Sequence, residues 1–320
     1  MKNVSIIVCC YNSALKLPKT LEHLAQQKVS ADLSYEIIVV DNASTDNTAE
    51  FAISYWATLN TQVSLRVVRE ETPGLIYARI CGVKAAKNEL LIFCDDDNWL
   101  RDDYVQNAVD IMNADSTIGA LGGQSVLSPS IEAPDWWEKH QGSFAVGKQM
   151  SHSGYADERG FLYGAGLVTR KSLAEKVFDL RYPFLLVGRK GDICLSGEDG
   201  EYCQRIMLMG LHLYYNEKLF YWHDISSSRL CREYLYQLLK SFEPGGVIIE
   251  KYCYIRRYYN QNSIQKLLIL MKRLFLYIFA QKYNRDRKRY LLHMQACVCG
   301  CNIVYDSDIV NILGWIKFSR

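Results

Sequence analysis

Along the first hundred residues, short apolar runs alternate with longer stretches in which apolar side chains recur every three or four positions. Residues 4–10 (VSIIVCC), 35–40 (YEIIVV) and 90–94 (LLIFC) are nearly continuous apolar runs, the pattern of strands covered on both faces. Residues 63–69 are read as a further strand. Between these runs, Leu15, Leu17, Leu21 and Leu24 form one helical stripe. Residues 49–56 form a second helix behind the N-cap candidates of the polar loop 41–46, and Pro73-Gly74 opens a third that runs through Ala86. One helix between successive strands predicts right-handed βαβ crossovers and a mostly parallel sheet, which places the chain in the α/β class.

The fourth run breaks abruptly into Asp95-Asp96-Asp97-Asn98. In an open α/β sheet, ligands bind at the C-terminal ends of strands. Asp95 and Asp97, two positions apart, project to one side if the chain stays extended there. Two such carboxylates suit a hard divalent cation, which in turn suits a diphosphate. A polar turn after a strand would carry the same letters. Neither GxGxxG nor GxxxxGK[ST] follows any of the strands, which disfavours dehydrogenases and P-loop enzymes and leaves metal plus aspartate as the means of holding phosphates.

The second half is mixed. Trp136-Trp137 is an aromatic pair in a polar stretch, suited to a binding face or to lid packing. Residues 160–173 read as a strand entering a helix, with Gly164 and Gly166 permitting close backbone approach. Ser196-Gly197-Glu198-Asp199 opens a helix and fits a Ser-x-x-acid capping box. Residues 213–221 read as a strand leading to His223 and Arg229.

Composition adds an asymmetry. The 320 residues are 49% hydrophobic and 22% charged, a globular balance for one large α/β domain and an appendage. Residues 1–250 carry 24 basic and 32 acidic side chains, whereas residues 251–290 carry eleven Lys and Arg against the single acid Asp286. Within that basic stretch Ile264, Leu267, Leu268, Met271, Leu274, Phe275 and Ile278 share a helical face, with Lys266, Lys272 and Arg273 opposite. Three cations in so short a segment argue against a spanning helix and fit an interfacial one on an anionic membrane, with residues 264–290 as the contact. Packing on the rest of the chain or a second subunit is the competing reading, and no nucleic-acid motif accompanies the charge.

Eleven cysteines, several inside apolar runs, fit a reduced compartment, hence a cytoplasmic protein. Cys297, Cys299 and Cys301 lack the spacing of a zinc pair. The N-terminus has too short an apolar stretch for a signal peptide.

Four blocks, VSIIVCCYNSALKLPKTLEHLAQQ, EIIVVDNASTDNT, PGLIYARICGVKAAKNELLIFCDDDNWL and SGEDGEYCQRI, occur in the order and near the spacing seen in family 2 glycosyltransferases, which the chain resembles from Val4 to about Tyr234. Cys9-Cys10 departs from the proline of many members. The resemblance implies a GT-A-like fold and an inverting sugar transfer from a nucleotide-diphospho-sugar, a UDP-sugar above all, to a glycan or lipid-linked hydroxyl in bacterial surface polysaccharide synthesis. Tyr11, Asn12 and Asp41 then face the nucleobase, Arg79 the nucleotide, and Asp95 and Asp96 the donor, with Asp97 on Mn²⁺ or Mg²⁺ and His223 as a second ligand. Asp199 takes the role of general base, with Glu198 positioning the acceptor or Asp199 itself. The domain reading is a catalytic part, 1–234, and a helical basic extension, 235–320. Two rival readings are a nucleotidyltransferase on a similar fold, which has no need of the Glu198-Asp199 pair, and a non-catalytic subunit that binds polysaccharide or membrane.

Overall fold

The computed structural model describes residues 3–190, 193–259, 261–279, 294 and 306–319. Strands β1 (Asn3–Cys10), β2 (Ser34–Asn42), β3 (Ser64–Glu70) and β4 (Leu90–Asp95) pair in parallel in the order β3-β2-β1-β4. They are joined by α1 (Leu17–Ala25), α2 (Thr48–Thr58) and α3 (Leu75–Ala85), as the alternation predicts. The runs are continuous because both faces are covered. Ile6, Val8, Ile37, Val39 and Ile92 lie in the cluster under α1, whereas Ile7, Ile38, Val40, Leu91 and Phe93 lie in the cluster under α3. Each fully buried aliphatic side chain of this kind contributes ~1.5–3 kcal/mol. Leu15 is the exception in the α1 stripe: it precedes the helix and is 96% exposed, while Leu17, Leu21 and Leu24 are fully buried.

Register aligns the strand ends that matter. Cys10 lies opposite Asp41 and Cys9 opposite Asp95, so the loops after β1, β2 and β4 meet at one edge. Beyond β4 the sheet becomes mixed. The short β8 (Val168–Arg170) runs antiparallel between β4 and β6 (Ile118–Leu127). Strand β11 (His212–His223) runs parallel to β6, and β5 (Asn98–Leu100) and β7 (Gly154–Tyr155) pair with it antiparallel. The strand entering a helix that is read over 160–173 is present as β8 running directly into α6 (Lys171–Val177). The glycines before it lie in a loop that passes close to other chain segments.

Helices α4 (Tyr104–Ala114) and α6 (Lys171–Val177) cover the sheet, α5 (Trp137–His140) starts at the second residue of the tryptophan pair with Trp136 at its N-cap, and α7 (Glu198–Leu208) follows the antiparallel pair β9 (Gly188–Lys190) and β10 (Ile193–Leu195). Helix α8 (Arg232–Tyr258) starts three residues before the expected boundary at 234/235 and packs along α7. Its Tyr252, Ile255 and Tyr258 belong to the same core as Ile7 and Phe93. So do Ile309, Ile312, Trp315 and Ile316 of α10 (Ser307–Ser319), all four fully buried. Lys251 on α8 holds the start of α10 through Asp306 at 2.8 Å and Asp308 at 2.6 Å. Between them, α9 (Ser263–Phe279) turns Ile264, Leu267, Leu268, Met271, Leu274, Phe275 and Ile278 outward, each 47–71% exposed. Cys297, Cys299, Cys301 and the basic residues 280–290 lie outside the described residues.

Candidate active site

The three consecutive aspartates diverge. The chain does not stay extended after Asp95, as the alternation argument assumed, but turns, with Asn98 Oδ1 accepting a hydrogen bond from Asp95 N at 3.1 Å. Asp95 remains at the strand end, where burial and the Asp97 charge push its carboxyl above the usual range. Asp96 turns toward α1: its carboxylate accepts a hydrogen bond from Ser13 Oγ and lies 3.5 Å from Lys16 Nζ, and its carbonyl accepts one from Thr20 Oγ1. Asp96 is thus bracketed to the β1–α1 loop and the start of α1.

Asp97 is 6% exposed, not solvent-facing. Burial opposes its charge. The nearby His223 and Arg229 more than offset that, holding its carboxyl at about 2. His223 Nε2 is 3.4 Å from Asp97 Oδ1, and Arg229 Nη1 is 3.5 Å from Oδ2. The pairing of His223 with Asn98 across β11 and β5 fixes this approach, and Asp97 O accepts a hydrogen bond from Asp224 N. His223 is 5% exposed, and its Nδ1 is buried with no hydrogen-bond partner among the described residues.

The nucleobase candidates cluster as the register demands. Asp41 is 2% exposed; its Oδ2 receives Arg69 Nη1 at 2.7 Å and its Oδ1 the Ser44 N–H. Asn12, in the left-handed region at φ 51°, accepts from Thr45 N and donates its own N–H to Ser44 Oγ, tying the β1 and β2 loops together. Tyr11 beside it is 58% exposed.

On the opposite wall the capping box does not form. The N-cap of α7 is Gly197 at φ 124°, a backbone conformation suited to glycine, and no side chain caps it. Asp199 instead reaches outward: its Oδ1 receives Arg79 Nη1 at 2.6 Å and its Oδ2 the Gly164 N–H at 2.9 Å. Arg79 is not the solvated face residue its Ala-rich helix suggests. It is 4% exposed and lies over the Phe93 ring at 5.4 Å. Glu198 accepts the Gly197 N–H, and burial together with the Asp199 charge pushes its carboxyl up to about 7. Two adjacent carboxyls thus stand in different environments, one paired with a cation and one held near neutrality, the usual basis for separate roles.

Sequence reasoning missed Arg69, Ser13 and Lys16, which hold Asp41 and Asp96. It also missed Glu201 and Arg205, which anchor α7 from below. Glu and Arg four apart inside an apolar stripe were the available signal.

Among the described residues no three His, Cys, Asp or Glu side chains gather closely enough to hold an ion. Asp97 and His223 offer a carboxylate and an imidazole nitrogen, two of the donors a divalent cation such as Mn²⁺ would need, the rest left to phosphate oxygens and water.

Known proteins share this arrangement of elements. The poly(ribitol-phosphate) beta-N-acetylglucosaminyltransferase TarS of Staphylococcus aureus is 32% identical over 108 residues, 34% of this chain and 18% of TarS. The putative glycosyltransferase EpsH of Bacillus subtilis is 32% identical over 103 residues, 32% of this chain and 28% of EpsH. The matched stretches thus span under a third of either relative's length. The solved structures of S. aureus TarS 1–349 with UDP-GlcNAc (TM-score 0.55, 16% identity, covering 100% of this chain and 88% of that one) and of the Pyrobaculum calidifontis mannosyltransferase PcManGT with GDP-Man and Mn²⁺ (TM-score 0.50, 19% identity, 99% and 73%) share the fold. The family model described as glycosyl transferase family 2 matches residues 5–178, more than half of the chain, and the protein therefore belongs to glycosyl transferase family 2.

Proposed function

We propose that this chain transfers a sugar, with inversion, from a nucleoside-diphosphate sugar to a hydroxyl of a glycan or lipid-linked acceptor in surface polysaccharide synthesis. The observation that carries this reading is the placement of Asp199. It is a carboxylate freed from helix capping, ion-paired with Arg79, 30% open to solvent, and close enough to Asp95 for its charge to act there. Asp199 accepts the acceptor's hydroxyl proton as that oxygen bonds to the anomeric carbon from the back. The bond from that carbon to the diphosphate oxygen breaks, and its electron pair leaves with the nucleoside diphosphate. Positioned base catalysis of this kind contributes ~10²–10⁴ in rate. Tyr11, Asn12 and Asp41 line the nucleobase side, with Asp95 and Asp96 beside the ribose and diphosphate. Asp97 and His223 would hold Mn²⁺ or Mg²⁺, which when bound neutralises charge on the departing diphosphate.

TarS was solved with UDP-GlcNAc and PcManGT with GDP-Man and Mn²⁺, which supports a nucleotide-sugar donor; we favour a UDP-sugar. The first test is sugar transfer by Asp199→Asn beside its donor affinity. Loss of transfer with unchanged donor binding supports the base, and near-normal transfer overturns it. A nucleotidyltransferase would instead release pyrophosphate from a nucleoside triphosphate.

The exposed apolar face of α9, in a helix with no acidic residue, supports peripheral attachment to an anionic membrane from the cytoplasmic side. Among the described residues no helix is long and apolar enough to cross a membrane. In this arrangement 1–234 forms the catalytic part and 235–320 its brace and foot. Because α10 lies in the core, the test is substitution, not truncation. Leu268→Gln with Phe275→Gln should abolish flotation with anionic vesicles at low salt, and a wild-type protein that does not float overturns the membrane reading.

A further inference from the structure

Arg79 is one of the least exposed charged side chains among the described residues. Its guanidinium donates to Asp199 Oδ1 at 2.6 Å, and its other faces are taken up by protein. Phe93 lies 5.4 Å away, and the charges of Asp95 and Glu198 act on it along with that of Asp199. Burial works against the guanidinium's charge, but these carboxylates hold its proton more firmly than usual. Gly164 completes the arrangement. Its N–H donates to Asp199 Oδ2, and a Cβ at this position would stand 2.1 Å from Asp199 Oδ1 and 2.5 Å from Arg79 Nη2. The loop is glycine here because nothing larger fits between the loop and the pair.

A carboxylate offers about four lone-pair sites. Arg79 and Gly164 take one on each oxygen, which fixes the plane of the Asp199 carboxylate and leaves its remaining sites on the part that is 30% open to solvent. With 5% of its side chain exposed, Arg79 is poorly placed to reach out to a nucleotide.

We infer that Arg79 is a positioning residue for Asp199, clamping it jointly with the Gly164 amide so that its free lone pairs meet the acceptor hydroxyl, and that it is not a donor-binding residue. This rests on Asp199 being the base, and the two claims fail separately. If Asp199→Asn transfers normally, the base reading fails whatever Arg79 does. If Asp199→Asn is inactive and Arg79→Met is not, the clamp alone fails.

The experiment measures transfer kinetics, donor affinity by calorimetry with Mn²⁺ and UDP, and melting temperature for Arg79→Met and Arg79→Lys. Lysine keeps a charge near Asp199 but not the planar fork that sets its orientation. Misplacement of a catalytic group by about 1 Å costs ~10²-fold. Expected for Arg79→Met is a kcat lower by ~10² or more, with the Kd for UDP within about threefold of wild type. Arg79→Lys should lie between the two, and added guanidinium ion should restore part of the kcat of Arg79→Met. A role confined to folding would not respond to guanidinium. A tenfold or larger loss of UDP affinity in Arg79→Lys, or an unchanged kcat in Arg79→Met, overturns the inference. If Arg79→Met does not fold, Arg79→Lys with its KM and kcat measured separately decides the matter.

Discussion

Arg205 and Glu201, one turn apart on α7, are both fully buried and meet at 2.9 Å. The guanidinium uses all its donors: Nε on Tyr252 Oη, Nη1 on the carbonyls of Val177 and Tyr182, and Nη2 on the carbonyl of Pro183 and on Glu201. Glu201 in turn accepts the backbone N–H groups of Leu185 and Leu186 and the Tyr252 hydroxyl. One buried pair thus fastens α7, and with it Glu198 and Asp199, to the 177–186 segment and to α8.

A first prediction follows from removing one partner. Glu201→Ala leaves the Arg205 charge buried and uncompensated, a change that costs about 3–5 kcal/mol. Urea denaturation should show the loss as a lower midpoint. A change under about 1 kcal/mol would mean that Arg205 finds other compensation.

Trp315 on α10 is fully buried, donates its Nε1–H to the Lys176 carbonyl and stacks near Arg205. Trp315→Ala should destabilise the whole protein by about 3–5 kcal/mol, in a single transition shared with the catalytic part. Two separate transitions, with only the second shifted, would show that the C-terminal helices fold as an independent unit.

Asp97→Asn keeps the size of the side chain but removes the charge that faces His223 and Arg229. The expected outcome is loss of Mn²⁺-dependent stabilisation by UDP in a thermal shift assay, while the variant alone still unfolds cooperatively. Metal-dependent stabilisation equal to that of wild type would remove Asp97 from the metal assignment.

Glu198 gives a pH signature. Its folded value, about 7, lies above the ordinary 4.5 because of burial and the Asp199 charge, so between these limits the folded state binds more protons than the unfolded one. Stability from this group is therefore present below about pH 4.5 and lost as pH rises through about 7. The stability of wild type relative to Glu198→Gln should fall between pH 5 and pH 8, as measured by urea denaturation at each pH. A constant difference would place Glu198 in a solvated environment.

The sequence by itself determined the parallel half of the sheet and the edge where the chemistry gathers. Residues 4–10, 35–40 and 90–94 are apolar apart from Ser5 and Glu36, the near-continuous pattern of doubly covered strands, and the run of aspartates after the last of them marks a strand end. These signals are local, so a single segment carries them. Partner choice is not local. Ser196 to Asp199 has the letters of a capping box, yet Asp199 pairs with Arg79, 120 positions away, because Gly197 takes the cap position at φ 124° and the carboxylate is turned toward a buried cation. Asp95, Asp96 and Asp97 are chemically identical, and the turn after β4 sends one to the strand end, one to Ser13 and Lys16, and one to His223 and Arg229. The place of α10 in the core likewise emerges only when Trp315 meets Arg205 and Lys176. In each case the side chain's chemistry is written in the chain, but which group desolvates it and which neutralises its charge is decided by packing across the fold.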